Sequence, residues 1–289
     1  MKKLFYLFLI LPVLFIACSD DDDDDYGGKI DPQEQIFKNG LIKQIDDAKY
    51  IYNSKGQLEK VVEGYGATIT FTYDKKFTKS SASADVKMTV ANGGDLDVYY
   101  MQLGGNGFVK SFVSEYEYNE GGEKYRDITT GSVGYNGAGQ VSKMTMTIVT
   151  KNQAGKEIYN DVYVTEISYK DGSISKTVYT EEGEDAERTE TNFTYTSETQ
   201  KEGLENISGL MLWDSMLGVD FDYVEYAYYA GILGKPSNKL PLTSKSVDSE
   251  DYKENYTYEW KLNDKKMPTE VKAVRDGNTE YPEIYTFVW

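Results

Sequence analysis

Hydrophobic and polar residues alternate with a period of two along most of the chain. Ile69 and Phe71 alternate with threonines, and Met144 and Met146 do the same. A period of two places the apolar side chains on one face of a strand and the polar ones on the other, which is typical of antiparallel sheets with one buried face. The pattern therefore predicts a mainly β fold.

Short turn motifs separate these alternating stretches. Residues 52–60 and 135–143 share the pattern Tyr-Asn-x-x-Gly-Gln-apolar-x-Lys; residues 169–176 are a shorter version, and residues 260–267 a degenerate one. Gly and Asn provide the positive φ angles that tight hairpins require. We interpret each motif as a hairpin in which the aromatic residue closes one strand and the apolar residue opens the next. Because the spacing is irregular, a meander is favoured over a solenoid of identical repeats.

One stretch has a helical period instead. Leu204, Ile207, Leu210 and Leu217 fall on one face of a helix. Residues 219–233 could continue this helix or alternate as a strand. The sequence therefore predicts a curved antiparallel meander sheet, an open or half barrel, with one helical insert around residues 204–233 packed on the concave side.

The N-terminus has the pattern of an export signal. Lys2 and Lys3 precede an apolar run over residues 4–16, which is too short for a comfortable transmembrane helix and suits a signal-peptide core. Ala17 and Cys18 follow, and residues 14–18 resemble the lipobox of bacterial lipoproteins, although Phe15 stands where leucine is commonest. We expect residues 1–17 to be a lipoprotein signal peptide and Cys18 to be lipidated. An ordinary secretory signal with an incidental cysteine is the alternative.

An acidic segment follows the cysteine. A block of aspartates cannot bury itself and stays extended and solvated. Cys-Ser followed by repeated aspartate resembles the export tag of surface-exposed Bacteroidetes lipoproteins; a plain spacer is the alternative. We therefore expect residues 18–37 to be a flexible tether, residues 38–289 a single β-rich domain, and the protein to be anchored to the outer membrane through acyl chains on Cys18, facing the cell exterior. The expected export signal consists of Ser19, Asp20, Asp21, Asp22, Asp23, Asp24 and Asp25.

Composition excludes several kinds of function. The chain has one cysteine, no histidine and a formal net charge of −17. Without histidine there is no Ser-His-Asp triad and no histidine-containing metal site. The acidic balance argues against nucleic-acid binding. No phosphate-cradling loop is present, and the acid clusters lack calcium-loop spacing. We predict no cofactor, no metal and no catalytic residues, and we expect a non-enzymatic protein.

Tyrosine is abundant, with 26 residues. Aromatic faces suit the apolar faces of sugar rings, while hydroxyl tips provide polar contacts; the alternative is that tyrosines simply fill sheet faces. Next to the predicted helical insert we select Trp213, Tyr226, Tyr228 and Tyr229 as candidate ligand-binding residues.

The segment from Tyr228 to Pro241, together with the hairpin motifs and the lipobox-plus-aspartate start, resembles an uncharacterised family of Bacteroidetes surface lipoproteins. Their domain of unknown function is described as having a porin-like fold. The resemblance implies a strongly curved antiparallel sheet wrapped partly around a helical segment. It implies no activity and no functional residues.

Three functions remain open. The first is a surface-displayed binding or accessory module for a polysaccharide, another glycan, a peptide or a neighbouring outer-membrane protein. The second is a carrier that holds an apolar ligand between sheet and helix. The third is a carboxylate-based glycoside hydrolase, with Asp220, Asp222 and Glu225 as candidate acids beside aromatic residues. Residues 284–289 form an alternating, aromatic-ended strand that is similar to the last strand of outer-membrane barrels, but the charge and a mean hydropathy of −0.57 favour a water-exposed domain in which this strand closes the sheet.

Overall fold

The computed structural model describes residues 36–37, 40–73, 77–79, 82–182, 186–197, 200, 203–211, 221 and 223–289, without the side chains of residues 78, 79, 82 and 83. The chain divides into two compact units, Met1–Ile30 and Asp31–Trp289, and the first lies outside the described residues. Among the described residues, no helix is both long enough and apolar enough to span a membrane.

Antiparallel strands dominate the described part of the chain. The strands of the main sheet are β1 (Gln44–Ile45), β2 (Ala48–Tyr52), β3 (Leu58–Val62), β4 (Thr68–Thr72), β7 (Val86–Asn92), β8 (Asp95–Leu103), β9 (Val109–Glu120), β10 (Glu123–Tyr135), β11 (Val141–Asn152), β12 (Glu157–Lys170), β13 (Ser173–Glu182), β14 (Arg188–Thr194), β17 (Thr243–Val247), β18 (Lys253–Leu262), β19 (Pro268–Arg275) and β20 (Glu283–Val288). Two small two-stranded sheets stand apart from it: β5 (Phe77–Lys79) with β6 (Ala82–Ala84), and β15 (Leu204–Glu205) with β16 (Lys239–Leu240).

These sixteen described strands form a closed barrel. Each pairs with the next barrel strand along the chain, and β1 pairs with β20 through Gln44 opposite Val288 and Ile45 opposite Phe287. The prediction of an open or half barrel is therefore wrong. Pairing of the first strand with the last leaves no unpaired edge, which is how barrels avoid edge-to-edge association.

The predicted helical insert is also wrong in the described part of residues 204–233. The only helix described there is α1 (Tyr226–Tyr229), a single turn of 4 residues, and residues 204–205 form a strand. The chain is held by turns instead: Gly231 and Gly234 have φ angles of 76° and 86°, which disfavour continued helix. Residues 212–220 and 222 lie outside the described residues.

One end of the barrel is capped. We call it the capped end; it carries the turns at residues 53–57, 104–108, 136–140, 171–172 and 263–267. Between β14 and β17 the chain leaves the sheet, and we call the described part of this segment (residues 195–197, 200, 203–211, 221 and 223–242) the excursion. In the repeated turn motifs an asparagine side chain accepts hydrogen bonds from two backbone N–H groups, as Asn53 does from Lys55 and Gln57 and Asn136 from Ala138 and Gln140. The sequence repeat is therefore a repeated side-chain-capped hairpin turn.

An aromatic belt fastens the capped end. An aromatic residue at or just after the end of a strand donates a hydrogen bond to a carbonyl near the start of the preceding barrel strand, which explains the aromatic residue that opens the sequence motifs at residues 135, 169 and 260 but not Tyr52, whose hydroxyl has no such bond within the described part of the chain. The bonds are Tyr73 to Leu58 (2.8 Å), Tyr135 to Val109 (2.7 Å), Tyr169 to Val141 (2.8 Å), Tyr195 to Ile174 (2.6 Å) and Trp289 to Pro268 (2.6 Å), and Trp260 bonds likewise to Pro241 (2.8 Å).

The hydrophobic core lies inside the barrel. Inward-facing strand residues such as Met88 and Phe112 pack with Leu210, Phe221 and Tyr228 from the excursion, and all are buried. The excursion therefore fills the capped half of the barrel, where its apolar side chains cover the apolar inner faces of the strands.

Candidate functional site at the barrel mouth

The outer face of the barrel wall is polar. On β4 the outward residues are threonines, which alternate with buried Ile69 and Phe71. Ion pairs cross neighbouring strands on the outside, including Lys143–Glu166 (3.3 Å), Lys176–Glu190 (2.7 Å), Lys261–Glu270 (2.7 Å), Lys272–Glu259 (3.6 Å) and Arg126–Glu115. The outer face thus carries interspersed cations and carboxylates, together with outward apolar residues on β8 to β12, namely Val98, Val113, Ile128, Val149 and Val162.

These ion pairs distinguish the wall from the outer face of a membrane-spanning barrel. Barrels that span membranes carry an apolar band about 25 Å tall on their outer face, and each lysine or arginine at its middle costs about 2–4 kcal/mol. Here β2, β3 and β4 have 5 residues each, so they rise roughly 17 Å at about 3.3 Å per residue. That height is less than the hydrocarbon core of a bilayer, which is about 30 Å thick, whereas β9 to β12 have 12–14 residues each and rise roughly 40–46 Å. The distinction therefore rests on the ion pairs of the outer face and not on strand length.

The end opposite the cap is lined by tyrosines and carboxylates. On β9, Phe112 and Ser114 are buried, so the alternation directs Tyr116 and Tyr118 inward as well. Across the ladder, Tyr118 lies opposite Tyr125 of β10, and Tyr116 opposite Asp127. The three rings form a stacked row, with centroids of Tyr116 and Tyr118 5.6 Å apart and those of Tyr118 and Tyr125 5.5 Å apart. These strands extend beyond the short β2, β3 and β4.

The same arrangement continues around the barrel. Tyr163 of β12 pairs with Glu181 of β13, and their neighbours Thr165 and Tyr179 pair on the same inner face. The rings of Tyr163 and Tyr179 stack with centroids 6.2 Å apart. We define the mouth as the inward residues of this end, namely Asp95, Asp97, Tyr116, Tyr118, Tyr125, Asp127, Tyr163, Tyr179, Glu181, Glu254, Tyr256, Arg275, Glu283 and Tyr285.

Charge is divided between the two faces of the wall. Of the residues that define the mouth, Arg275 alone is basic, and Glu254 accepts from its guanidinium at 2.5 Å. The outer face carries the lysines of the barrel strands, among them Lys49, Lys87, Lys143, Lys176, Lys245, Lys261 and Lys272. The mouth is therefore negative, while the wall around it has both signs.

The electrostatics of the mouth tyrosines reflect this excess of carboxylates. Partial desolvation raises the pKa of Tyr116, and Asp95, Asp97 and Asp127 raise it further. The pKa of Tyr256 rises to about 12, because of desolvation and then the nearby Glu283 and Glu254. The phenols consequently stay protonated at neutral pH and can donate hydrogen bonds.

A second polar group sits beside the mouth where the excursion meets the short strands. Tyr226 of α1 donates a hydrogen bond to Glu63, just after β3. Burial raises the pKa of Glu63, Asp47 raises it further, and the hydrogen bond from Tyr226 acts against them. Tyr65 stands close to Glu63, and desolvation together with that carboxylate raises the pKa of Tyr65 to about 12. The group pairs a carboxyl of raised pKa with phenols.

The candidate ligand-binding residues that the structure describes have different environments. Tyr228 and Tyr229 are buried and donate to the carbonyls of Gly209 (2.5 Å) and Met211 (3.2 Å), so they fasten the excursion to itself. Tyr226 is half-buried beside Glu63. Trp213 lies outside the described residues, as do Asp220 and Asp222, the lipidation residue Cys18 and the export-signal residues Ser19, Asp20, Asp21, Asp22, Asp23, Asp24 and Asp25.

The mouth tyrosines were not selected from the sequence, although a signal for them exists. Tyr116 and Tyr118 continue the alternation that starts at the buried Phe112 and Ser114, so one face of a long strand changes from buried to half-buried and phenolic along its length. Tyr125 appears on that face only through the pairing of β9 with β10. Among the described residues, no group of acidic or cysteine side chains is arranged to hold a metal ion.

Comparison with known proteins identifies the fold. A porin-like protein from Bacteroides vulgatus superposes with a TM-score of 0.57 at 11% sequence identity, covering 87% of this chain and 99% of that one. A porin-like protein from Bacteroides uniformis gives a TM-score of 0.46 at 17% identity, covering 83% of this chain and 89% of that one. No family model matches the chain, and no curated protein matches it. The fold is thus similar to that of the porin-like protein of B. vulgatus.

Proposed function

We propose that this protein is an outer-membrane lipoprotein that holds its barrel in water outside the cell as a non-enzymatic binding module, and that it binds its ligand at the mouth. The observation that carries the proposal is the reversal of the wall: apolar and phenolic inside, charged outside. A porin-like fold with such a wall is suited to be displayed on a membrane and not inserted into it.

The position of the N-terminal residues supports this orientation. Ile36 and Phe37 are buried at the capped end, where the Phe37 ring meets Tyr228 with centroids 6.1 Å apart. A tether that begins at an acylated Cys18 and ends before the buried Ile36 would therefore join the barrel at the cap. The mouth then points away from the membrane, where a ligand outside the cell can reach it.

The interior gives no support to the alternative of an apolar-ligand carrier. The capped half is filled by side chains that are fully or almost fully buried, among them Met101, Met144, Leu210 and Tyr228. Towards the open end, the inner surface carries the half-buried and exposed phenols and carboxylates of the mouth.

The proposal is tested on intact cells and on the purified protein. Mass spectrometry should find acyl chains on Cys18, and protease added outside the cells should remove the protein. Arrays of glycans and peptides should yield a ligand whose affinity falls at least fivefold in Tyr118→Ala/Tyr125→Ala, because truncating an aromatic anchor commonly costs more than 1 kcal/mol. Tyr100 points outward on β8 next to buried Tyr99, so Tyr100→Ala is the matched control. Equal losses in both variants would refute binding at the mouth.

A glycoside hydrolase is the second candidate, and Glu63 is the observation that favours it. A buried carboxylic acid with a raised pKa is what a general acid requires. Release of reducing sugar from a panel of polysaccharides should then depend on this residue and disappear in Glu63→Gln. If the wild-type protein releases none from any polysaccharide on which it binds, the hydrolase candidate is refuted.

A further inference from the structure

Exposed hydrophobic side chains are concentrated at the rim of the mouth. Among the described residues, most large hydrophobic side chains that are exposed lie at this end, and they come from turns and strand ends around the barrel. We call them the rim: Tyr65, Leu96, Ile158, Tyr159, Tyr252 and Tyr281. The others, Ile51, Ile284 and Val288, lie on the outer wall. Four of these six exposed side chains are tyrosines, and tyrosine is enriched at interaction surfaces.

The rim encloses the negative mouth. Aromatic rings attract cations to their faces, and arginine and lysine are the side chains that use this contact. The mouth places carboxylates beside such rings: Asp127 lies opposite Tyr116 on the ladder and accepts a hydrogen bond from Thr150 at 2.7 Å, and Glu283 accepts from Tyr256 at 3.2 Å and from Tyr285 at 2.8 Å. Neutral hydroxyl donors thus satisfy part of the hydrogen-bonding capacity of Asp127 and Glu283 and leave their charge unneutralised.

We propose that the rim and the mouth together dock a polypeptide segment rich in lysine or arginine, whose aliphatic stems pack on the rim and whose charged heads enter the mouth. The inference rests on the proposed function and adds the chemistry of the ligand. Charge complementarity selects this occupant. A neutral glycan uses phenols and carboxylates as hydrogen-bonding groups, but its affinity does not depend on the lysines being on the outer wall and away from the mouth. Long basic side chains fit the combination, because they bury their stems and keep their charge in a polar site.

The test measures binding of fluorescein-labelled nonalysine to the purified protein by anisotropy, with nonaglutamate and neutral maltoheptaose as comparison probes. Because the whole chain is acidic, the decisive comparison is between two triple variants of equal charge. The mouth variant is Asp97→Asn/Asp127→Asn/Glu181→Gln. The wall variant is Glu117→Gln/Glu166→Gln/Glu259→Gln, whose residues are exposed on the outer face.

We expect nonalysine to bind at 50 mM NaCl, to weaken at least fivefold in the mouth variant and less than twofold in the wall variant. Tyr118→Phe should retain binding, because the ring supplies the cation–π contact, while Tyr118→Ala should weaken it. Binding should also fall at 500 mM NaCl, where charges are screened within a few ångströms.

Three outcomes overturn the inference. The first is no binding of nonalysine at 50 mM NaCl, and the second is an equal loss in the mouth and wall variants, which indicates non-specific attraction. The third is binding of maltoheptaose, but not nonalysine, that is lost in Tyr118→Ala; the proposed binding at the mouth then survives and its ligand is a glycan. If no probe and no array ligand responds to any mouth variant, the proposed function fails as well.

Discussion

Gly131 provides the sharpest test of which face of the wall is packed. It lies on β10, and a Cβ atom added there would come within 2.0 Å of the Phe112 ring. That ring is buried, so Gly131→Ala must push it into its neighbours. Gly134, on the same strand, faces outward beside Lys143, whose Cβ would stand 3.8 Å away in ordinary contact. The two glycines therefore form a matched pair, one inward and one outward.

The two substitutions should change the free energy of unfolding in opposite directions. Overpacking a buried site costs about 1–3 kcal/mol, whereas replacing a strand glycine by alanine where space allows gains about 0.4–1 kcal/mol through the unfolded chain. We expect Gly131→Ala to lower the free energy of unfolding by roughly 1–2 kcal/mol after this offset, and Gly134→Ala to leave it unchanged or raise it slightly. Urea denaturation followed by tryptophan fluorescence measures both.

A double mutant isolates the cause. In a Phe112→Leu background the ring is gone, so adding Gly131→Ala should cost less than about 0.5 kcal/mol, giving a coupling energy of about 1 kcal/mol or more. Equal unfolding free energies for Gly131→Ala and Gly134→Ala, or an undiminished cost in the Phe112→Leu background, would refute the inward packing of this strand.

Three further predictions concern the cap, a turn and the wall. Tyr135→Phe should lower the unfolding free energy by about 0.5–1.5 kcal/mol, because it removes a hydrogen bond of the aromatic belt. Tyr52→Phe should not lower it, since the buried Tyr52 hydroxyl has no hydrogen-bond partner among the described residues. Thermal melts of the two variants make the comparison. Lys266 has a φ of 60° where the matching turns have Gly56 and Gly139, so Lys266→Gly should raise the unfolding free energy by roughly 0.5–1 kcal/mol in urea, and no gain would contradict the turn assignment. Hydrogen bonds from Lys176, Asn192 and Arg188 lower the pKa of Glu190 to about 2. A carboxyl with a lowered folded-state pKa stabilises the fold above its ordinary pKa and loses that contribution as pH falls. The loss of unfolding free energy in Glu190→Gln, about 0.2–1 kcal/mol at pH 7, should therefore shrink between pH 4.5 and 2, and a loss independent of pH would contradict this.

The local structure of the barrel could be predicted from the sequence. Ile69 and Phe71 alternate with threonines because β4 has one buried and one wet face, and the Tyr-Asn-x-x-Gly-Gln motif marks a hairpin because its asparagine caps the turn. These signals are short-range. They act between residues a few positions apart, so they survive in any arrangement of the strands.

Closure of the barrel could not be predicted, because it depends on a contact between the two ends of the domain. Lys43 Nζ donates a hydrogen bond to the Trp289 carbonyl, and the two residues are 246 positions apart in the sequence. Nothing in the sequence near either residue specifies that pairing. The helical prediction failed for a related reason. Leu210 is apolar because the barrel interior surrounds it, so its spacing from Leu204 reflects burial on all sides and not a helical face.

The mouth was missed because tyrosine has two roles with the same sequence pattern. Tyr228 and Tyr118 both lie in tyrosine-rich stretches, yet one is buried with its hydroxyl on a carbonyl and the other is half-buried in a stacked row. Which role applies depends on distance from the capped end, and that distance is set by the length of β9 and its neighbours.

The most direct measurement separates the barrel from its tether. A protease site inserted between Gly28 and Lys29 would allow the barrel to be cut from outer membranes without detergent. If Cys18 is the anchor and the wall faces water, we expect cleavage to release the barrel into the supernatant as a folded, detergent-free particle. A barrel that stays with the membrane after complete cleavage, and leaves it only in detergent, would show that the wall lies in lipid and would contradict the display of the mouth.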